Sequence, residues 1–492
     1  PSLIEFSTFA EKLSCFYSFI GLIDGTSKRR MTAGHEELCP GDFHQPAMEQ
    51  ESVEDFKAEL YQMQKARRAI VQEIIAKGIP NKNDVSILHT TLAILVDSRT
   101  NEDSQRLIMS GSRSIPINIR DEIIGLKKDI EYLNLLVNGE PDEFRPTEFI
   151  FTSIPLTEIL APYHPVSETR FKEEVENVII FLNHFIDKSL PVKPIFITDW
   201  DGTMKNYCSQ YATNLQPVYS AIGMSEFASR FTRLSAVLTA GPLGDDPTRK
   251  NYSTQNREPG IVELTSLPIK SGPITFSGSW GREWMLGGKR VVYDDGIPDE
   301  GFDALGRLND EMTTVLDTDE YSQFKLVGSG VQKKVDRLTL GVQTVFNQVD
   351  SDLSARYQEA VKERMHRVDP SQQVLVFETA TALEVEVCVH SGTGIVWNKA
   401  NGIERLLEAT STDLKEGRVL IAGDTKSDLP MVEYSIKENP EGTFALFVGQ
   451  DAELEKRVRE IVGDDSRVCY IACPDVFHAG LATFLSGQNQ LD

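Results

Sequence analysis

Residues 195–208 read IFITDWDGTMKNYC. Ile195, Phe196, Ile197 and Thr198 form a short β-branched and aromatic run of the kind that becomes a buried strand. Asp199, Trp200, Asp201, Gly202 and Thr203 follow at once, where that strand should end. In open α/β sheets ligands bind outside the carboxyl ends of the strands. Asp and Gly also favour ordinary turns, so this stretch acquires meaning only from the rest of the chain.

Downstream, apolar runs at Leu234–Leu238, Arg418–Ile421, Thr443–Val448 and Arg467–Ile471 alternate with helical periodicity, the pattern of a parallel sheet built from βαβ units. Between Pro242 and about Ser391 the texture changes. Ile274–Ser277 is expected to pair with Lys289–Tyr293, and Gln373–Phe377 with Leu383–Val389, with helices at Asp303–Leu316 and Ser351–Arg367 and a strand at Val335–Val342. The predicted architecture is multi-domain: an N-terminal α-helical bundle, then an α/β Rossmann-like core carrying an inserted α+β domain. Its expected divisions are a flexible segment over 1–50, a bundle over 51–140, a linker and connecting helix over 141–190, the core over 191–243 and 392–492, and the insertion over 244–391. Within the bundle, Ser52 and Asp55 open a helix that stops at Gly78 and Pro80, Asn83 or Asp84 caps a second through Leu95, and Ile117–Val137 makes a third. Ser167–Ile186 is the connecting helix.

The 492 residues carry a net charge of −24. No basic surplus exists to displace counterions from nucleic acid, which excludes that class of partner. An anionic substrate must be drawn in by a local positive site. Cys15, Cys39, Cys208, Cys388, Cys469 and Cys473 show no CxxC pair and read as reduced thiols of a cytoplasmic protein. The uncharged run Leu13–Ile23 is too short to span a bilayer and is flanked by Glu5 and Glu11 rather than by basic residues, so no targeting role is expected.

Four pieces recur in order at strand ends: Asp199-Trp-Asp201-Gly-Thr203, Leu238-Thr239-Ala-Gly241, Trp397-Asn-Lys399, and Gly423-Asp424-Thr-Lys-Ser-Asp428. Singly each has a bland explanation, as a turn, a structural threonine, a solvated lysine or a capped helix start. Together they suit phosphoryl transfer through an aspartyl-phosphate. A carboxylate nucleophile is repelled by a phosphate dianion and needs cationic help. Asp199 would attack and Asp201 would act as general acid and base. One Mg²⁺ would sit on Asp199, Asp424 and the Asp201 carbonyl, since hard oxygen ligands suit that ion. Thr239 would hydrogen-bond a phosphoryl oxygen, Lys399 would supply fixed positive charge, and Asp428 would orient Lys399 or a metal-bound water rather than bind the metal directly.

These motifs resemble the haloacid-dehalogenase superfamily of phosphatases from Lys193 to the C-terminus, and the insertion resembles the α+β cap of its sugar phosphatases. Ser279-Trp-Gly281-Arg-Glu283, and Glu386-Val-Cys-Val with Trp397-Asn-Lys399, are similar to cap and core segments of trehalose-6-phosphate phosphatases, the whole chain being most similar to those of nematode type. The resemblance implies hydrolysis of trehalose 6-phosphate and substrate contacts from Arg282, Glu283 and Glu386, whose side chains suit sugar hydroxyls. Departures from the family pattern are Trp280 for the usual His, Cys388-Val389 for Arg-Pro, and Thr425 for a second consecutive Asp. Lys333 and Lys334 could form a phosphate clamp but read better as an exposed, charged strand edge. The bundle resembles microtubule-interacting-and-transport adaptor domains, which implies a protein partner or self-association. Rival readings are a phosphatase for another sugar phosphate, such as sucrose 6-phosphate, and a catalytically decayed adaptor. Retention of Asp199, Asp201, Lys399 and Asp424 argues against decay.

Overall fold

A computed structural model describes residues 52–100, 104–138, 154–207, 215–244, 260–269, 272–344, 347–390 and 397–489. The expectations for residues 1–50, for the run Leu13–Ile23, for Cys15, Cys39 and Cys208 and for the linker up to residue 153 lie outside these residues.

The Ser52 hydroxyl accepts the Asp55 N–H at 3.1 Å while the Asp55 carboxylate accepts the Ser52 N–H at 3.2 Å, the capping box that starts α1 (Val53–Lys77). Asn81, rather than Asn83 or Asp84, caps α2 (Lys82–Asp97). The third helix begins later than expected. Residues before it form an antiparallel hairpin, β1 (Gln105–Ser110) and β2 (Arg113–Asn118), and α3 (Arg120–Asn138) follows. The hairpin escaped the sequence reading because Pro116 breaks the strand pattern, and Pro is tolerated there on an edge strand. Next come α4 (Leu156–Leu160) and α5 (Glu168–Phe185), the latter matching the expected connecting helix and capped by Ser167.

The core opens with β3 (Ile195–Thr198), α6 (Val218–Phe231), β4 (Leu234–Val237), α7 (Ile261–Leu264), β5 (Ile274–Gly278), β6 (Glu283–Leu286) and β7 (Lys289–Val292). The cap holds α8 (Asp299–Leu316), β8 (Val331–Lys333), β9 (Arg337–Gly341), α9 (Ser351–Val368), β10 (Leu375–Thr379) and β11 (Glu384–Val389). The chain returns to the core as α10 (Lys399–Thr410), β12 (Val419–Gly423), α11 (Leu429–Glu438), β13 (Thr443–Val448), α12 (Ala452–Val462), β14 (Val468–Ile471) and α13 (Pro474–Asn489).

The core sheet has eight strands in the order β14-β13-β12-β3-β4-β5-β6-β7, parallel from β14 to β5. Every residue of β3 is buried, as befits a central strand covered by helices on both faces. From β3 the sheet grows one way through β4 and β5 and the other way through β12 to β14. The gap outside the carboxyl ends of β12, β3 and β4 is therefore the topological switch point, where a ligand site is expected.

The expected strand pairing in the insertion is also corrected. Ile274–Ser277 does not pair with Lys289–Tyr293 inside the insertion. It runs parallel to β4 in the core sheet, and β6 separates it from β7. Alternation along a strand marks its faces but not its neighbour, and this neighbour is set by tertiary contact. The cap has its own antiparallel sheet, β10-β11-β9-β8, and buries Leu305, Leu308 and Met312 of α8 and Tyr357 and Val361 of α9 with Leu338, Leu340, Val385 and Val387.

The helical module is not a separate bead. One apolar cluster runs from Phe56 and Leu60 on α1 through Leu126 and Leu133 on α3 to Phe196, Phe227 and Phe477 of the core. Among the described residues no helix is long and apolar enough to cross a membrane.

Candidate active site

Main-chain pairing sets the first carboxylate. The Asp199 N–H donates to the Ala422 carbonyl at 2.9 Å, which holds the turn after β3 beside the turn after β12. Gly202 sits at φ +78°, and a Cβ there would lie 2.1 Å from Oδ2 of Asp424, so glycine lets the two loops touch. The Thr203 hydroxyl lies 3.4 Å from both Asp199 Oδ2 and Asp424 Oδ1. Thr239, buried just after β4, accepts the Gly241 N–H on its hydroxyl oxygen at 3.1 Å and keeps a proton to donate.

Lys399 is buried at the start of α10, a helix capped by Asn398. Its Nζ is 2.6 Å from Asp199 Oδ1 and 2.5 Å from Asp428 Oδ1. The other Asp428 oxygen accepts the N–H groups of Asp424 and Thr425, both at 3.0 Å, and the Thr425 hydroxyl at 3.1 Å. Thr425, a departure from the family pattern, thus closes a capping box with Asp428. Both Asp428 oxygens are occupied, so this side chain orients the lysine and the loop.

Burial pushes the Asp199 carboxyl up to about 7; the Lys399 ammonium opposes this and the Asp428 charge adds to it. Asp424 is pushed well up by burial and then by the charges of Asp199 and Asp428. Burial works against the charge on Lys399, but Asp199 and Asp428 outweigh it and raise its pKa. Oxygens of Asp199, Asp424 and Asp428 lie within 4.8 Å of one another. With Asp428 engaged, Asp199 and Asp424 remain as crowded carboxylates whose repulsion a divalent cation would relieve. The donor set is all oxygen, which fits Mg²⁺.

Two further residues come from the opening stretch itself. Lys205 is buried and places Nζ 2.5 Å from Asp201 Oδ1, and the Tyr207 hydroxyl donates to Asp424 Oδ2 at 2.9 Å. The sequence reading passed over both. The only available signal was their proximity to Asp201, because contact with Asp424 spans 217 residues.

The residues expected to touch substrate are distributed over core and cap. Arg282 is buried, donates to Asp336 Oδ2 at 3.2 Å and to the carbonyls of Tyr293 and Asp295, and lies 4.2 Å from the Trp397 ring. It ties cap to core. Glu283 is buried in the core sheet, paired with Arg290 and accepting the Ser279 hydroxyl at 2.6 Å. Glu386 stands in the cap sheet, accepts from Arg337 at 3.0 Å and Thr339 at 2.8 Å, and lies 3.7 Å from the Lys334 Nζ. Lys333 and Lys334 are both buried, so their reading as an exposed strand edge is corrected. Their strand lies at the edge of the cap sheet, but Lys333 faces α8, beside Gly306 and Asp310, and the core covers its neighbour: Lys334 and Arg337 lie 4.4 and 3.9 Å from the ring of Trp280. The cap also carries Glu384, whose carboxyl is raised by burial and further by the charges of Glu386 and of Asp201 across the seam, against Lys334. The cap is therefore closed, with Glu384, Glu386 and Lys334 on its inner side.

Comparison with known proteins was made against this geometry. Residues 196–477 match the family model described as trehalose-6-phosphate phosphatase, C-terminal, and residues 52–150 match its N-terminal helical bundle domain. A Brugia malayi protein named trehalose-phosphatase is 52% identical over 442 residues, 89% of this chain and 86% of that protein. Trehalose-phosphatases of Caenorhabditis elegans and Caenorhabditis briggsae are each 50% identical, over 89% of this chain and 96% and 98% of theirs.

Proposed function

The chain belongs to the trehalose-6-phosphate phosphatase family and is a phosphatase, and from that premise we propose that it hydrolyses trehalose 6-phosphate to trehalose and phosphate through an aspartyl-phosphate, with Mg²⁺ as cofactor. The observation that carries this reading is the buried Lys399 between Asp199 and Asp428, a fixed cation facing a carboxylate in a strongly acidic chain.

In this reading Asp199 attacks phosphorus through its second oxygen while Lys399 holds the first. The bond to the sugar C6 oxygen breaks, and Asp201, positioned by Lys205, delivers a proton to that oxygen. Trehalose leaves. Asp201 then takes a proton from water as the water attacks the acyl phosphate, which frees phosphate and restores Asp199. The Thr239 hydroxyl donates to a phosphoryl oxygen throughout. Held by Asp199, Asp424 and the Asp201 carbonyl, Mg²⁺ would neutralise phosphate charge and align the group for in-line attack. Glu384, Glu386 and Lys334 would meet the disaccharide hydroxyls from the cap side, and Arg282 would keep the cap registered on the core. Glu283, consumed by Arg290 and Ser279, would act by holding the turn at Trp280 rather than by touching sugar. Free, buried Cys469 and Cys473 fit a reducing, cytoplasmic setting.

The test is phosphate release with Mg²⁺ from trehalose 6-phosphate, sucrose 6-phosphate and glucose 6-phosphate, comparing the intact chain with Asp199→Ala. A strong preference for trehalose 6-phosphate that the variant loses is the expected result. Equal turnover of all three would overturn the substrate assignment, and turnover surviving in the variant would overturn the nucleophile.

A further inference from the structure

The helical module reaches two bodies at once. On the core side, Gln64 on α1 donates to the Leu264 carbonyl at 2.7 Å, and Arg68 donates to the carbonyls of Val262, Glu263 and Thr265 at 2.8, 3.1 and 2.9 Å. Asp129 on α3 accepts the Val218 N–H at 2.8 Å, capping the first turn of α6 with a side chain from outside the core. The β1–β2 hairpin is fastened to α1 in turn: Arg106 pairs with Glu59 at 3.3 Å and lies 5.3 Å from the Phe56 ring, and Met109 bridges Ser52.

On the cap side, only the hairpin tip makes contact among the hydrogen bonds described. Both the N–H and the hydroxyl of Ser112 donate to the carboxylate of Asp319, in the cap segment that follows α8. The buried Ser322 hydroxyl donates to the Ser110 carbonyl at 3.3 Å. Gly111, at φ +62°, lies so close that a Cβ would be 2.3 Å from Asp319 Oδ1. The tip is thus shaped to a cap residue 207 positions away.

We infer that the hairpin is a latch holding the cap closed over the active site, with Ser112 and Asp319 acting as positioning residues for the phosphatase reaction. The cap joins the core through the chain before α8 and after β11, and its inner face carries Lys334, Glu384 and Glu386. For the cap to open, its Asp319 segment must part from a hairpin that α1 and α3 anchor to the core. The contact shared between Ser112 and Asp319 is charge-assisted but exposed, and screened contacts of this kind shift a two-state equilibrium by about two- to fivefold. The module therefore biases the cap toward the closed state that assembles the site, while leaving the cap able to release product. Its effect on substrate use rests on the function proposed above; its effect on the cap does not.

The experiment is hydrogen exchange on the full chain without substrate, comparing wild type with Asp319→Ala, Ser112→Ala and the double variant. The reporters are amides at the cap–core seam, residues 277–282 and 331–337, where the Val335 N–H donates to the Ser279 hydroxyl. Exchange there should quicken about two- to fivefold in Asp319→Ala, and the double variant should add little, because one contact is lost only once. Amides of α9 and β3 should be unchanged, which separates a released cap from an unfolded one. Seam exchange equal to wild type in Asp319→Ala would overturn the latch, as would quickening that spreads equally to α9. A parallel rise in KM for trehalose 6-phosphate, with kcat held or increased, is expected. Quickened seam exchange in a chain that turns over none of the sugar phosphates would keep the latch and sink the substrate reading.

Discussion

Replacing Lys128 by Met removes one ammonium from the junction of the helical module, α13 and the loop after β3. Lys128 Nζ lies 2.6 Å from Asp475 Oδ2, with both side chains buried, and 4.8 Å from the Tyr163 ring. The Tyr219 hydroxyl donates to the other Asp475 oxygen at 2.8 Å, and Asn206, in the loop after Asp201, reaches Oδ2 at 3.4 Å. Burial alone would raise the Asp475 carboxyl, but Lys128 and then Tyr219 outweigh it and hold the group below the usual carboxylate range. In the wild type this ion pair therefore contributes stability that is fully present above the unfolded pKa of about 4 and is lost only as pH falls through the lower, folded value. Met keeps most of the lysine stem but leaves a buried carboxylate without its cation, a loss of about 3–5 kcal/mol. For a cooperative unit of this size the entropy of unfolding is near 0.9 kcal/mol per degree, so the melting temperature at pH 8 should fall about 3–6 °C.

The sign of the pH dependence then reverses. With Lys128 gone, burial dominates and the Asp475 pKa rises above its unfolded value, so the deficit should shrink as pH falls from 8 toward 5 and the carboxyl protonates. Adding Asp475→Asn should recover most of the loss. Thermal and urea unfolding of the full chain at several pH values would measure this. A variant within about 1 kcal/mol of wild type at pH 8, a deficit that grows on acidification, or no recovery in the double variant would each refute the reasoning.

Three further outcomes follow from the site. Asp428→Asn puts an amide NH₂ against either the Lys399 ammonium or the N–H groups of Asp424 and Thr425; kcat should fall about 10²-fold, and steady-state turnover within threefold of wild type would contradict the orienting role. Chelation of divalent cations should abolish phosphate release, and Mg²⁺ should restore it and raise the melting temperature by relieving the Asp199–Asp424 repulsion; an unmoved melting temperature at saturating Mg²⁺ would count against those ligands. Glu386→Gln removes the charge facing Lys334 and Arg337 and should raise KM for trehalose 6-phosphate more than it lowers kcat; equal falls in kcat and kcat/KM would move Glu386 from binding to the chemical step.

The sequence by itself determined the local and periodic features. Ile195–Thr198 reads as a buried strand, and with the later motifs the carboxylates after it read as polar chemistry; Ser52, Ser167 and Asn398 can mark helix starts because a cap needs only neighbours three residues away. The four residues proposed for the chemistry were legible as a group for the same reason: Asp199, Thr239, Lys399 and Asp424 each end or begin a regular element, and their order along the chain follows the order of the elements. What tertiary structure alone decided were pairings without a local signature. Ile274–Gly278 joins the core sheet because β4 offers a free edge, which alternation within the strand cannot reveal. Lys334 looked solvated because lysine usually is, yet the approach of Trp280 and Glu386 from distant segments buries it. Glu283 looked available for sugar, and a residue on the next strand, Arg290, claims it. The helical module reads as a free-standing adaptor from its periodicity, whereas a shared apolar cluster and the polar contacts of Arg68, Asp129 and Ser112 bind it to core and cap. Periodicity records which face of an element is apolar; which surface covers that face is settled only when the whole chain has folded.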